Sequence, residues 1–378
     1  MTFERPPGEP VAATRSARHA IDRRRRRLDA GVTVVVVVVV GTYAWFQAEA
    51  SSPSVSSTPS ATSGPTSTPA TGPGGPVGAP QLLALSVTGA QRPLLAIVGI
   101  GRGGGAPAIV AVPMGLTLVV PGAGEMRAKD VGVLRGSSVQ VALSNMMGVW
   151  AGHYLVTDVD RLAVMVDAAG GLSTDLPQGF VLPTAVVGPG AVTLTGGQVK
   201  EMLVSTKGSE APAAWRAVLG AWLAHPPALA RTDVDQTDDL PGAGAVLEAA
   251  RGAPVLVVPT KTVAGTAAVV DQPAFDTLVT KTFGTTEPVP VIVQNGSGRP
   301  GIGEAVARRI LPAGFRVVIS ENASTFGVAL TTITANGRKH VAQARSLRRD
   351  LGVGRVRLSR VPSGVGDITV VVGEDFRA

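Results

Sequence analysis

Five consecutive arginines, residues 23–27, run almost directly into an uncharged apolar stretch, residues 30–46, which includes seven consecutive valines at 34–40. Nothing else in the chain restricts its options as sharply. The 17 residues of that stretch, at about 1.5 Å each, give roughly 26 Å of helix, the short end of what crosses a hydrocarbon core of about 30 Å. Tyr43, Trp45 and Phe46 gather at its far end, where aromatic rings settle at headgroup depth. The arginines mark the near end as cytoplasmic by the positive-inside rule. The pattern predicts a basic cytoplasmic tail over residues 1–29, a signal-anchor helix over 30–47, and all later residues on the outer side of the membrane. A buried soluble helix of valine is disfavoured, because valine is a poor helix former in water. A cleaved signal peptide is the competing reading. Ala48-Glu49-Ala50 before Ser51 has the A-x-A form of a cleavage site, although the apolar run exceeds the usual 7–15 residues of such a peptide. Beside a span, an orientation signal with anionic-lipid contact explains the arginines more plainly than nucleic acid does.

The rest of the composition sets limits. The 378 residues leave room for two or three domains after the anchor. The chain has no cysteine, which excludes disulfides, thiolate metal sites and a cysteine nucleophile. The net charge is +7, and residues 1–29 hold eight arginines against four acids. The exterior part is only mildly basic, so charge argues for no nucleic-acid partner. Residues 48–80 predict a disordered linker. From 51 onward they are nearly all Ser, Thr, Pro, Gly and Ala, a composition that cannot bury apolar surface. Such a spacer reaches roughly 30 Å as a coil and about 90 Å as polyproline helix. Its Ser/Thr/Pro content also suits O-glycosylation.

Residues 81–285 read as the first folded domain. Strand-like runs fall at 82–87, 94–100, 108–112 and 117–120, then a helix at 137–147, a strand at 154–158 and a helix at 160–169 ended by Gly170-Gly171. Glycine-rich turns precede an amphipathic stretch at 196–204. A helix at 212–224 is stopped by Pro226-Pro227, and a helix at 244–250, a strand at 255–258 and a helix at 273–283 follow. Residues 287–376 form a second, small unit: strand 289–294, helix 303–311, strands 315–320 and 328–335, helix 339–350 capped by Gly352, and strand 368–372. Alternating strands and helices argue an α/β sandwich rather than a bundle.

Gly296-Ser297-Gly298-Arg299-Pro300-Gly301 matches G-x-G-x-x-G between a strand and a helix, with Glu321 about 20 residues on, as in a dinucleotide fingerprint. The unit is too short for a second mononucleotide half. The plainer reading makes Asn295, Gly296, Gly298 and Gly301 a tight structural turn that needs positive φ at its glycines. His153 lacks a carboxylate spaced to share a metal, so it reads as a packed or hydrogen-bonded residue. Asp158, Asp160 and Asp167 suggest a divalent site, but N-cap and first-turn roles explain the first two more simply. Trp215 and Trp222, seven apart, have core spacing first and a sugar-stacking face second. Arg308, Arg309, Arg345, Arg348 and Arg349 make the last unit's helices basic. A solvated face is the default, and contact of Arg345, Arg348 and Arg349 with anionic wall polymer is the sharper option.

Two resemblances follow. Val-Gln-Asn295-Gly-Ser-Gly298, Ala-Gly314-Phe315-Arg-Val, Thr331-Thr332-Ile333 and Asp367-Ile-Thr-Val-Val-Val372-Gly373 resemble a LytR C-terminal domain over nearly the whole second unit. Gly148-Val-Trp-Ala-Gly152-His153-Tyr154-Leu-Val-Thr-Asp158, the run from Leu162 through Asp167 to Gly170-Gly171, and Leu194-Thr-Gly196-Gly-Gln198 resemble the LytR-CpsA-Psr domain, weakly in its first half. The resemblance implies a three-layer α/β sandwich followed by a small α/β domain. It also implies transfer of wall glycopolymers from a polyprenyl-phosphate carrier to peptidoglycan. In that family arginines, acidic groups and a divalent cation hold the pyrophosphate, and an apolar tunnel takes the lipid.

The sequence departs from the family where phosphate would be bound. Pro113-Met114-Gly115 stands where the family has Pro-Arg-Asp, and no aspartate lies near Arg92-Pro93-Leu94. The family's Tyr-x-Arg-x-Arg is replaced by the run from Met202 to Thr206, with Lys207 and Arg216 following. Lysine does not reproduce an arginine fork, and one lost contact of this kind costs about 3 kcal/mol of barrier. The leading expectation is a catalytically degenerate envelope protein that binds wall glycopolymer, lipid-linked precursor or an assembly partner. The alternative is a working transferase that uses Arg127, Lys129, Lys207 and Arg216, with Mg²⁺ implied only in that case. A third is a structural or regulatory role through the last domain. Expected partners are the membrane and peptidoglycan, anionic polymer or polyprenyl-phosphate lipid, without nucleic acid.

Overall fold

The computed structural model describes residues 78–89, 93–206, 210–225, 229–262, 268–360 and 363–377. The expected tail, anchor and most of the linker lie outside the described residues. Among the described residues no helix is long and apolar enough to cross a membrane.

The chain opens with strands β1 (Gln81–Thr88), β2 (Leu94–Ile100) and β3 (Pro107–Val112), joined as an antiparallel meander. A hairpin of β4 (Thr117–Val120) and β5 (Gly124–Arg127) follows, then α1 (Ala128–Val131), α2 (Gly136–Met147), β6 (His153–Asp158) and α3 (Val159–Ala168). Next come β7 (Leu172–Leu176), the short pair β8 (Phe180–Val181) and β9 (Val186–Val187), β10 (Gly190–Leu194), α4 (Gly196–Ser205) and α5 (Glu210–Ala224). This part ends with β11 (Gln236–Thr237), α6 (Leu240–Ala249), β12 (Val255–Val257), β13 (Thr260–Thr262), β14 (Ala268–Val270) and α7 (Gln272–Phe283). Six strands form one mixed sheet in the order β11-β6-β1-β2-β3-β12.

Strand alternation makes that sheet the middle of a layered fold. Leu83, Leu85 and Val87 of β1 join one apolar cluster with residues of α3 to α6, while Leu82 and Ala84 join a second with residues of α1, α2 and α7. A sheet covered on both faces reads as an unbroken apolar run rather than an alternating one, which is how β1 and β2 read. Trp215 and Trp222 are both buried in the first cluster, so their seven-residue spacing is core spacing. Asp158 caps α3, its carboxylate accepting the Arg161 N–H at 2.8 Å. One expectation fails here. The stretch read as glycine-rich turns before 196 holds the antiparallel pair β7 and β10. It was hidden because only the ends of β7 and one end of β10 are buried.

The second part has β15 (Val289–Asn295), α8 (Ile302–Ile310), β16 (Phe315–Asn322), β17 (Thr332–Asn336), α9 (Val341–Leu351), β18 (Arg355–Ser359) and β19 (Ile368–Val372), with sheet order β16-β15-β19-β17-β18. The strand expected over 328–335 begins only at Thr332. Val328 instead donates its N–H to the Gly296 carbonyl, and Thr331 is tied to the Asp375 carboxylate at 2.8 and 2.6 Å. β18 was not expected at all. Gly352 ends α9 in the left-handed region at φ 75°, as a helix C-terminus favours.

α2 lies between the two sheets. It is buried on nearly every side, which is what an apolar helix without a polar face requires. Val139, Leu143 and Met147 enter the core of the first part, and Val141 enters the core of the second. Its buried polar residues are engaged: Gln140 donates to the Ala151 carbonyl at 2.8 Å, and Ser144 accepts the Ala151 N–H at 2.9 Å. Asn145 joins the two parts, donating to the carbonyls of Val119 and Val317 and accepting the Val317 N–H at 2.8 Å.

Candidate functional site

At the edge of the six-stranded sheet, Pro93 and Leu94, the turn Pro113-Met114-Gly115, Val257 and the α5 residues Trp215, Arg216 and Leu219 surround a cavity of about 460 Å³. Its walls are apolar, and among the residues that line it Arg216 alone is charged. The positions come from the fold. β3 ends at Val112, so the 113–115 turn leaves the sheet at its rim, and α5 packs through Trp215, Val218 and Trp222. That packing brings the exposed Arg216 to the opening. Apolar walls with one guanidinium suit an amphiphile with a long apolar part and an anionic end.

Arg127 and Lys129, also expected as phosphate ligands, do not line this cavity. Lys207 lies outside the described residues. Arg127 ends β5, is exposed, and sits directly before α1. Lys129 is exposed and paired with Asp130 at 2.6 Å. Its backbone N–H donates to the Met114 carbonyl at 3.3 Å, so α1 adjoins the cavity wall without contributing a charged lining residue.

The acidic set near α3 is dispersed into local roles. Asp158 pairs with Arg161 at 2.8 Å and Asp160 with Lys200 at 2.5 Å. The Asp160 carboxylate holds the Lys200 ammonium above the usual lysine range. Asp167 accepts the Gly196 N–H at 2.7 Å, which fastens the start of α4. Among the described residues no group of three or more His, Asp or Glu is placed to hold one metal ion. His153 faces Asp238 at 3.5 Å and Asp239 at 4.0 Å.

The G-x-G-x-x-G turn has a structural use. Gly298 and Gly301 take φ of 76° and 75°. The Asn295 carboxamide accepts from Ser297 and the Gly298 N–H and donates to the Arg299 carbonyl, closing the turn on itself. At the α8 N-terminus, where a pyrophosphate would lie in the fingerprint, the β4–β5 turn packs onto Gly303 and walls one side of an open cavity of about 370 Å³. A Cβ on Gly303 would come within 2.6 Å of Gly122 Cα, and the Gly122 N–H donates to Ser320 at 2.7 Å. Glu321 accepts from Gln294 at 2.8 Å.

Arg345, Arg348 and Arg349, expected to share a face, do so. They line one groove with Arg355 of β18, a residue missed because β18 was missed. Also missed was the buried joint between the two parts. Arg316 forks onto Asp276 at 2.9 and 2.6 Å and donates to the Asn145 carbonyl at 3.2 Å.

Residues 288–376 match the model of a family described as "LytR cell envelope-related transcriptional attenuator". They form a LytR C-terminal domain. No curated protein matches the chain in sequence. Among solved structures, TagV of Bacillus subtilis is similar at 10% identity over 55% of this chain and 98% of its own, with a TM-score of 0.45. A LytR-Csp2A-Psr enzyme from Actinomyces oris is 17% identical over 54% and 89%, with a TM-score of 0.42. The LytR-CPS2A-psr family protein YwtF (TagT) of B. subtilis, solved with bound octaprenyl pyrophosphate lipid, is 12% identical over 55% and 91%, also at 0.42. The LytR C-terminal domain contains the arginine groove, whereas the cavity beside Arg216 precedes it in the chain.

Proposed function

We propose that the protein is a membrane-anchored, extracytoplasmic cell-envelope protein of the LytR-CpsA-Psr type that holds a lipid-linked wall precursor without transferring it. The cavity beside Arg216 carries this reading. Its 460 Å³ fall within the range of about 300–1,000 Å³ typical of small-molecule sites. Its apolar walls suit a prenyl chain, and Arg216 at the opening suits a phosphate. The LytR C-terminal domain supports an envelope setting, and the basic tail with its apolar run supports a span with the N-terminus inside.

Turnover is a different demand. Phosphoryl transfer relies on several positive charges placed on the phosphate oxygens. Met114 stands where the family has arginine, and no carboxylate lines the cavity. A working transferase is the second reading, favoured only by the Lys129 N–H on the Met114 carbonyl, which brings α1 next to the cavity wall.

The test uses the full-length chain in detergent, offered a polyprenyl-pyrophosphate disaccharide with Mg²⁺. The expected result is stoichiometric lipid retention with the pyrophosphate linkage uncleaved and no polyprenyl monophosphate formed, and retention at least tenfold weaker in Leu219→Trp, which fills the cavity. Cleavage or transfer that disappears in Arg216→Ala would replace this reading with the transferase. The topology has its own check, since the chain lacks cysteine. In intact cells a membrane-impermeant maleimide should label Ser67→Cys and leave Ser16→Cys unlabelled. Labelling of both or of neither counts against the anchor.

A further inference from the structure

The last helix and the edge strand beside it gather four arginines. Arg345, Arg348 and Arg349 stand at i, i+3 and i+4 on α9 and so share one face. Arg355 opens β18 opposite them. With Gly354 and Val356 they line an open groove of about 540 Å³. All four side chains are exposed. Among the described residues no carboxylate lies within ion-pairing distance of any of them.

Four other arginines of the same domain are used internally. Arg308 pairs with Glu304, and Arg316 pairs with Asp276. Arg309 donates to the Leu351 carbonyl and lies 4.7 Å over the Phe376 ring. Arg299 donates to the Phe376 carbonyl. Like charges four residues apart on a helix destabilise it. Convergence of four unneutralised guanidinium groups on one concavity is therefore a cost to the isolated fold, and an external anion offsets it.

We infer that this groove binds an extended polyanion, a glycan carrying phosphodiester groups at regular intervals. A single small anion engages one or two guanidinium forks. Here Arg345 and Arg349 are spaced about 6 Å along the helix axis, and Arg355 adds a third position across the groove, so successive charges of one chain are met in turn. Guanidinium forks bind phosphate oxygens in bidentate fashion. No aromatic residue lines the groove, so single-stranded nucleic acid finds no stacking platform. Val356 is the only apolar side chain in the lining and is half-buried, so a bilayer finds no wedge to receive. The site is separate from the cavity beside Arg216 and stands or falls independently of it.

The experiment measures anisotropy of a fluorescent glycerol-phosphate oligomer on the full-length chain in detergent across a salt titration. Four phosphate contacts at about 0.7 each predict a log–log salt slope near −3. The R345Q/R348Q/R349Q/R355Q variant is expected to bind at least tenfold more weakly, with a slope near zero, a melting temperature no lower than that of the unaltered chain and slightly raised at low salt, and intact retention of polyprenyl lipid. The single variants R348Q and R355Q, each weakening binding a few-fold, keep the test valid if the quadruple variant does not fold. Oligomer binding that the substitutions leave unchanged overturns the inference, as does the absence of binding. Tighter binding, at equal phosphate, to oligothymidylate or to phosphatidylglycerol vesicles also overturns it, in favour of nucleic acid or a membrane surface respectively.

Discussion

The five-stranded sheet ends in two edges that treat the same residue type in opposite ways. At one edge β16 lies against β4 and β5. Arg316 is buried there, its guanidinium forked onto Asp276 and bonded to the Asn145 carbonyl. At the other edge β18 pairs only with β17, and Arg355 faces Arg345, Arg348 and Arg349 across an open groove. The first edge satisfies its charge inside the chain and so fixes the LytR C-terminal domain against α2 and α7. The second leaves its charge for something outside the chain. Arginine content alone distinguishes neither. The location of the carboxylates does.

The largest expected effect lies at the covered edge. Arg316→Ala would leave Asp276, only 16% exposed, as an uncompensated buried charge. Loss of one partner from such a pair costs about 3–5 kcal/mol. Urea denaturation of the full-length chain should show the transition of the C-terminal domain moving to lower denaturant by that amount. The double change Arg316→Ala with Asp276→Ala should recover part of it. An unchanged midpoint in Arg316→Ala would mean that the covered edge is not fastened by this pair, and the contrast between the edges would fail.

These two edges also mark what the sequence disclosed and what it hid. Strands 94–100, 117–120 and 368–372 coincide with β2, β4 and β19, because each is an apolar run of strand length between turn residues. The G-x-G-x-x-G turn was legible as a turn, since positive φ at Gly298 and Gly301 follows from local sterics. That Gly303 had to be glycine was not legible: the backbone it meets, Gly122, is 181 residues away. The same holds for Asn145 with Val317, 172 residues apart, and Arg316 with Asp276, 40 apart. Such pairs have no local signature. β18 was missed for another reason. Its sequence, Arg-Val-Arg-Leu-Ser, is mostly exposed, so no buried face produces a period-2 pattern strong enough to read. That miss removed Arg355 from view and left three arginines on a helix looking like an ordinary solvated face. At the cavity, the run Pro113-Met114-Gly115 could be read from the sequence alone as a departure from the LytR-CpsA-Psr pattern. The enclosure of that turn by Trp215 and Leu219 depends on how α5 packs and could not be.

The smallest expected effects sharpen the comparison most, because they differ in sign. Arg345 and Arg349 are an i, i+4 pair of like charges, and relieving such a pair gains about 0.2–0.5 kcal/mol. Arg345→Gln should therefore raise the melting temperature of the full-length chain slightly, and added salt should shrink the gain by screening the same repulsion. Arg309→Gln, on α8 of the same domain, should lower it. That change removes a donor from the Leu351 carbonyl and a cation from the Phe376 ring, contacts worth about 1 kcal/mol each. Opposite signs from two arginines of one small domain, read by calorimetry at low and high salt, follow only if one set of arginines stabilises the fold and the other is held there against it. If Arg345→Gln lowers stability as Arg309→Gln does, the groove arginines are structural after all, and the open edge loses its claim to be a binding surface.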